Sequence, residues 1–174
     1  MGQRTGATGA AGWLAAAAPD PEACRREWDR NPPGVALLPA GRLWDVLTVP
    51  AALGRPALEV LRRRPTSPGP VLARSADSAD STDSTDMADM ADSSLGFLVP
   101  PGTTARWIGT GMHGAGDGTL VAVPHPRRSA HGLRWLVAPD GSGRLTDPVA
   151  LELALHEAAA TLAETPDPCR DTRH

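Results

Sequence analysis

Few residues in this chain have the type and spacing to do chemistry, and Asp45 is the first of them. It interrupts the second of two apolar runs, 35–38 and 43–49, in the stretch GVALLPAGRLWDVLTVP (residues 34–50). The turn signal Pro39-Ala40-Gly41-Arg42 separates the runs. β-Branched and bulky residues bounded by Pro and Gly predict strand, tight turn, strand: a hairpin. A carboxylate in an apolar strand is costly unless something pairs with it or uses it.

The other candidates are weaker. Residues 109–118 (GTGMHGAGDG) hold glycines at several spacings. A P-loop needs its Lys, and a dinucleotide fingerprint needs a strand before and a helix after. Here there is no Lys and a strand follows, so the prediction is a flexible connection. His113, His125 and His131 cluster in sequence, but zinc wants a fourth ligand and tighter spacing, and both Cys24 and Cys169 are distant. No G-x-S-x-G occurs, and no Ser or Cys has a recognisable nucleophile context. Arg62-Arg63-Arg64 closes a helical stretch, where positive charge is favourable. Three adjacent arginines point in different directions on a helix, which argues against a phosphate patch.

Composition bounds the rest. At 174 residues the chain is one domain long enough to bury a core. Five Trp, one Phe and no Tyr leave that core to Leu, Val and Ala. All 17 cationic residues are Arg. Residues 75–92 read SAD SAD STD STD MAD MAD, and these six acids exceed the whole formal charge of −3, leaving a body of +3. A period of three suits neither helix nor strand, and Ser, Asp and Ala cannot bury apolar surface. The two isolated cysteines fit a reducing cytoplasm. The N-terminal Leu-Ala run, cut off by Pro19-Asp20, is too weakly apolar for a signal peptide. No stretch approaches the ~20 apolar residues of a membrane span. These features predict a soluble, cytoplasmic protein without membrane partners.

The elements that must position Asp45 follow in order. Asp20-Pro21-Glu22 opens a helix, with Asp as N-cap and Pro in the first turn. Cys24 and Trp28 share one face of it, and it ends before Pro32-Pro33. Residues 50–64 read as a second helix, best from Pro56, with Ala57, Leu58 and Leu61 as its stripe. Residues 69–74 and 95–99 have strand character, a hairpin whose loop the acidic repeat has swollen. Strands follow at 119–123 and 133–137. Asp147-Pro148 opens a helix to about 163, with Leu151, Leu155, Ala158 and Leu162 buried and Glu152 and His156 exposed. The predicted organisation is a loose segment 1–18, a domain 19–163 interrupted by a disordered acidic repeat 75–94, and a tail 164–174. The predicted fold class is α+β, a single domain with a mixed or antiparallel sheet and flanking helices.

That order of elements, PDPEACRREW, GVALLPAGRLWDVLTVP, an Arg-rich helix, GFLVPPG, then GTLVAVPHP and LRWLVAP, resembles the N-terminal domain of bifunctional DNA primase/polymerases. These are the prim-pol branch of the archaeo-eukaryotic primase superfamily. The likeness covers about residues 19–140 without the repeat and implies a primase/polymerase-like core. The family's catalytic D-x-D would fall on Asp45-Val46-Leu47, so only its first acid stands. The family histidine would fall near Leu95-Gly96 and its third acid near residues 111–114, and neither is there; Asp117 lies a few residues on. The resemblance makes Asp45 the only metal position, for Mg²⁺ if residual polymerase activity remained. Nucleotidyl transfer uses two metal ions held by at least two carboxylates, and one Asp cannot hold two Mg²⁺.

The expectation is therefore a domain without confident catalytic residues and without a required cofactor. Asp45 would be a vestige that hydrogen-bonds a nearby backbone group or arginine. The leading function is a non-catalytic nucleic-acid or nucleotide binding module, contacting DNA or RNA weakly through Arg42, Arg127, Arg128 and Arg134. A protein-interaction or regulatory adaptor is the alternative. Residual primase/polymerase (nucleotidyltransferase) activity is the third reading.

Overall fold

In a computed structural model of the protein, the described residues are 7–31, 34–75, 92–109, 112–130 and 132–164. Asp20 caps the second helix as its sequence requires: Oδ1 accepts the amide protons of Glu22 and Ala23 at 3.1 and 3.0 Å. Pro21 follows in the first turn, where its missing N–H costs nothing. This helix, α2 (Pro21–Arg30), buries Cys24 and Trp28. It follows α1 (Ala7–Ala15).

Among the described residues seven strands form two antiparallel sheets. β1 (Val35–Pro39) pairs with β6 (Leu120–Pro124) as a two-stranded ribbon. The larger sheet has the order β5-β2-β4-β3-β7, built from β2 (Asp45–Pro50), β3 (Val71–Ser75), β4 (Asp92–Val99), β5 (His113–Ala115) and β7 (Leu133–Val137). Its two faces follow the two-residue period of a strand. Leu47, Val49, Val71, Ala73, Leu95, Phe97 and Val99 point to one side. There they pack under α3 (Ala51–Arg63) and α5 (Pro148–Glu164). Val46, Leu72, Leu98 and Leu133 point to the other side, against α1, α2 and the inner face of the ribbon. The sheet is thus the middle layer of an α+β domain, with a core on each side. Each fully buried Leu, Val or Phe contributes roughly 1.5–3 kcal/mol.

Several expectations need correction. The stretch 34–50 is not a hairpin: β1 and β2 are both strands but belong to different sheets. Ala40 donates its amide to Thr119 O at 2.9 Å, and Trp44, fully buried between the layers, marks where the chain passes from one sheet to the other. β1 finds its partner 80-odd residues on because Ala36 and Leu38 must be buried on the ribbon's inner face. The segment 1–18 is not loose throughout, since α1 forms and Leu14, Ala15 and Ala17 are fully buried. Its Ala-rich composition is a good helix former once Leu14 has a core to enter. Residues 1–6 lie outside the described residues.

The sequence predicts the disordered repeat over 75–94, yet Ser75 and residues 92–94 are in strands, with Ser75 opposite Asp92 and Arg74 opposite Ser94. Residues 76–91 lie outside the described residues, as does the tail from 165. The antiparallel pairing of β3 with β4 across the repeat is as expected. Helix α3 starts at Ala51, with Pro56 inside it rather than at its head. In α5, Ala154 takes a core position and Leu162 is 47% exposed, because the helix runs past the end of the sheet there. The Gly-rich stretch after Pro101 is also more ordered than a flexible connection. It forms the short helix α4 (Thr103–Arg106) and then β5.

Candidate functional site

Asp45 is the natural starting point, and it faces away from any open surface. It is 0% exposed and sits on the same side of β2 as Leu47 and Val49. Its Oδ2 accepts two hydrogen bonds from one residue, the Thr104 amide at 3.0 Å and the Thr104 hydroxyl at 2.9 Å. Its Oδ1 is buried and accepts none. The Gly-rich stretch makes room for this contact. A Cβ at Gly114 would lie 2.9 Å from Thr104 Cβ, and one at Gly116 would meet the Thr104 hydroxyl. Those glycines serve clearance rather than a phosphate loop.

A pair of Mg²⁺ ions does not fit here. They need at least two converging carboxylates with near-octahedral oxygen coordination. Two positions on from Asp45 stands Leu47, 1% exposed in the core under α3. Among the described residues no three His, Cys, Asp or Glu side chains gather as a metal site would require. Asp117 is exposed in the turn before β6. Cys24 is no nucleophile, because burial pushes its thiol up to about 11, with nearby Arg25 opposing.

On the other side of the sheet, the part that α1, α2 and the ribbon do not cover holds a groove. The sheet's register sets His113, Thr48, Gly96 and Leu72 in one row across β5, β2, β4 and β3. Ser94, Arg74 and Leu133 form the adjoining row on β4, β3 and β7. Gly96 supplies no side chain at the centre of the first row, and Val46 fills the space beside it. A Cβ there would lie 2.9 Å from Val46 Cγ1. With Val121 and Ala122 of β6 along one side, the result is a groove of about 200 Å³. Its polar groups are Thr48, Arg74, Ser94 and His113.

The four arginines singled out from the sequence are not brought together. Arg42 lies beyond the Pro39–Leu120 end of the ribbon and donates to Ala17 O at 3.3 Å. Arg127 and Arg128 lie beyond the opposite end, after Pro124. Arg134 pairs with Ala73 and so sits on the helix side of the sheet, away from the groove. The loop of Arg127 and Arg128 is held at the end of β3 that carries Arg74, where Ser75 donates its amide to Gly132 O at 2.8 Å, but neither arginine lines the groove. Arg62, Arg63 and Arg64 are helix-end charges. Arg62 meets Glu59 at 2.8 Å, while Arg63 and Arg64 reach Glu157 of α5 at 3.9 and 3.2 Å.

His125 shapes the loop of Arg127 and Arg128. Its ring meets Trp28 edge-on at 5.8 Å, and its Nδ1 accepts the Arg127 amide proton at 3.2 Å. Burial lowers its pKa from the ordinary 6.5, and Arg128 and then Arg127 push the same way against Asp29. A neutral ring is what the Nδ1 contact needs. His113 is exposed on β5, and His131 lies outside the described residues.

Sequence reading missed Thr48, Arg74, Ser94 and Gly96. The available signal was the two-residue period: each is a small or polar residue on the same strand face as a buried apolar one. Compared with known proteins, the chain matches no family model, no curated protein and no solved structure.

Proposed function

We propose that this protein is a non-catalytic nucleic-acid or nucleotide binding module, akin to primase/polymerase domains in its order of elements, and that it holds a phosphate in the groove over Gly96. The lining carries the reading: Arg74, Thr48, Ser94 and His113 offer donors, and no carboxylate stands among the described lining residues. Phosphate oxygens only accept, and Arg can meet them with two parallel N–H groups. At about 200 Å³ the groove is smaller than a typical whole-ligand pocket of roughly 300–1,000 Å³. It therefore takes one phosphate and its sugar, with the rest of a strand outside the groove.

Nucleotidyl transfer is no part of this proposal, because Asp45 faces the opposite core and is engaged by Thr104. The test is fluorescence anisotropy of a labelled single-stranded oligonucleotide at two salt concentrations, with Arg74→Ala alongside. Salt-sensitive binding that Arg74→Ala weakens supports the proposal. No binding at low salt overturns it.

One observation favours the adaptor as a second reading. Leu37 and Leu120 are 61% and 60% exposed on the ribbon's outer face, with Leu43 close by in the following turn. Clustered exposed leucines are a feature of protein-binding surfaces. On this reading, Leu37→Ser/Leu120→Ser abolishes partner capture and leaves oligonucleotide binding unchanged.

A further inference from the structure

The outer side of α5 carries two exposed apolar residues among its polar ones. Leu151, Ala154, Leu155 and Ala158 face the core. Val149 and Leu153, one turn apart on the opposite side, are 65% and 49% exposed. Beside this pair lies a second groove, of about 600 Å³, between α5 and the segment that follows α4. Trp107, Met112 and Leu155 form its apolar wall, and Ile108 stands on its lip, 95% exposed. Arg106 and Glu152 line the same groove without meeting each other as an ion pair. Among the described residues Arg106 donates its Nε to Gly102 O at 3.3 Å.

We infer that a second copy of this chain docks here, as an isologous pair about a two-fold axis beside Ile108. An isologous contact needs one face to carry both halves of every interaction. This face has a knob, Ile108, and a hole, the groove whose lip it occupies. An axis beside the lip puts each Ile108 over the other copy's groove. The same face has both signs of charge, so Arg106 of each copy is set to meet Glu152 of the other. Val149 and Leu153 extend the apolar contact along α5. A foreign protein would have to match this mixture of knob, hole and opposite charges, whereas a second copy matches it by symmetry.

Sedimentation velocity across a concentration series, on the full chain, tests the inference. The expected result is a concentration-dependent dimer whose dissociation constant rises more than about tenfold in Ile108→Asp, as for a central interface anchor. Ile108 is too exposed for this change to unfold the chain, and circular dichroism checks that. Arg106→Glu and Glu152→Arg each weaken the dimer, and the double reversal restores it. A wild type that stays monomeric overturns the inference and leaves the groove to a small molecule or an unrelated protein. A dimer that survives Ile108→Asp, or a double reversal as weak as either single one, overturns it too.

Discussion

Thr104 gives Asp45 both its backbone N–H and its hydroxyl, at 3.0 and 2.9 Å from the same carboxylate oxygen. This pair ties the first turn of α4 to the start of β2 across 59 residues of chain. The acid that stood out in the sequence thus has a structural task. It satisfies a helix-start amide that would otherwise be orphaned, and it faces away from the side of the sheet that holds the groove.

Removing that acceptor should cost stability and leave binding intact. Asp45→Ala is expected to destabilise the fold by about 2–4 kcal/mol, since two hydrogen bonds to a charged group are lost. Asp45→Asn keeps one acceptor oxygen for Thr104 but buries an NH2 where Oδ1 has no partner, so it should cost about 1–2 kcal/mol, less than the alanine change. Urea denaturation of the two variants measures the difference. Equal loss in both would show that the charge itself is needed.

Binding to a single strand should show the salt dependence of about three phosphate contacts, from Arg74, Arg127 and Arg128. At roughly −0.7 per contact, the log–log slope is expected near −2. Arg74→Ala should make the slope shallower by about 0.7 and weaken binding at low salt. Arg134→Ala should leave the slope unchanged, because that residue lies on the other face of the sheet. Titrations at four salt concentrations resolve the slopes.

Acidification should loosen the loop after β6. The folded-state pKa of His125 is lowered below 6.5, chiefly by burial. The unfolded chain then binds the proton more readily. The stability from the neutral ring is fully present above pH 6.5 and is lost as pH falls through that value toward the folded pKa. The melting temperature should therefore drop between pH 7.5 and 5.5, and drop less in His125→Gln. A wild type and variant with parallel profiles would refute this.

The strand pairing beside the repeat allows the repeat to be replaced. Ser75 stands opposite Asp92, so the two ends of the insertion are neighbours across β3 and β4. Replacing residues 77–90 with Asn-Gly shortens a closed loop, which should raise stability by no more than about 2 kcal/mol. The melting temperature of the shortened chain reports it. A large fall would show that the replaced residues contribute to the fold.

Local signals alone were enough for much of the chain. Asp20-Pro21-Glu22 starts a helix in any context, because its capping bonds reach only two and three residues ahead. The apolar spacing of Leu151, Leu155 and Ala158 likewise needs only the period of a helix to be legible. The strands at 35–39, 71–75, 120–124 and 133–137 were visible within a residue or two as short β-branched runs. The α+β class followed from these pieces.

What tertiary structure alone decided is which strand meets which and which face each residue takes. The runs around Pro39–Arg42 look like a hairpin because adjacent strands usually pair. Trp44 and the inward-facing Ala36 and Leu38 instead require burial between two layers, so β1 crosses to β6. In β2 a one-residue difference in parity sends Asp45 into one core and Thr48 to the open groove. The groove itself unites residues 48, 74, 94, 96 and 113 from four strands. Such a juxtaposition depends on register between distant segments, and register is set by the packing of both cores at once.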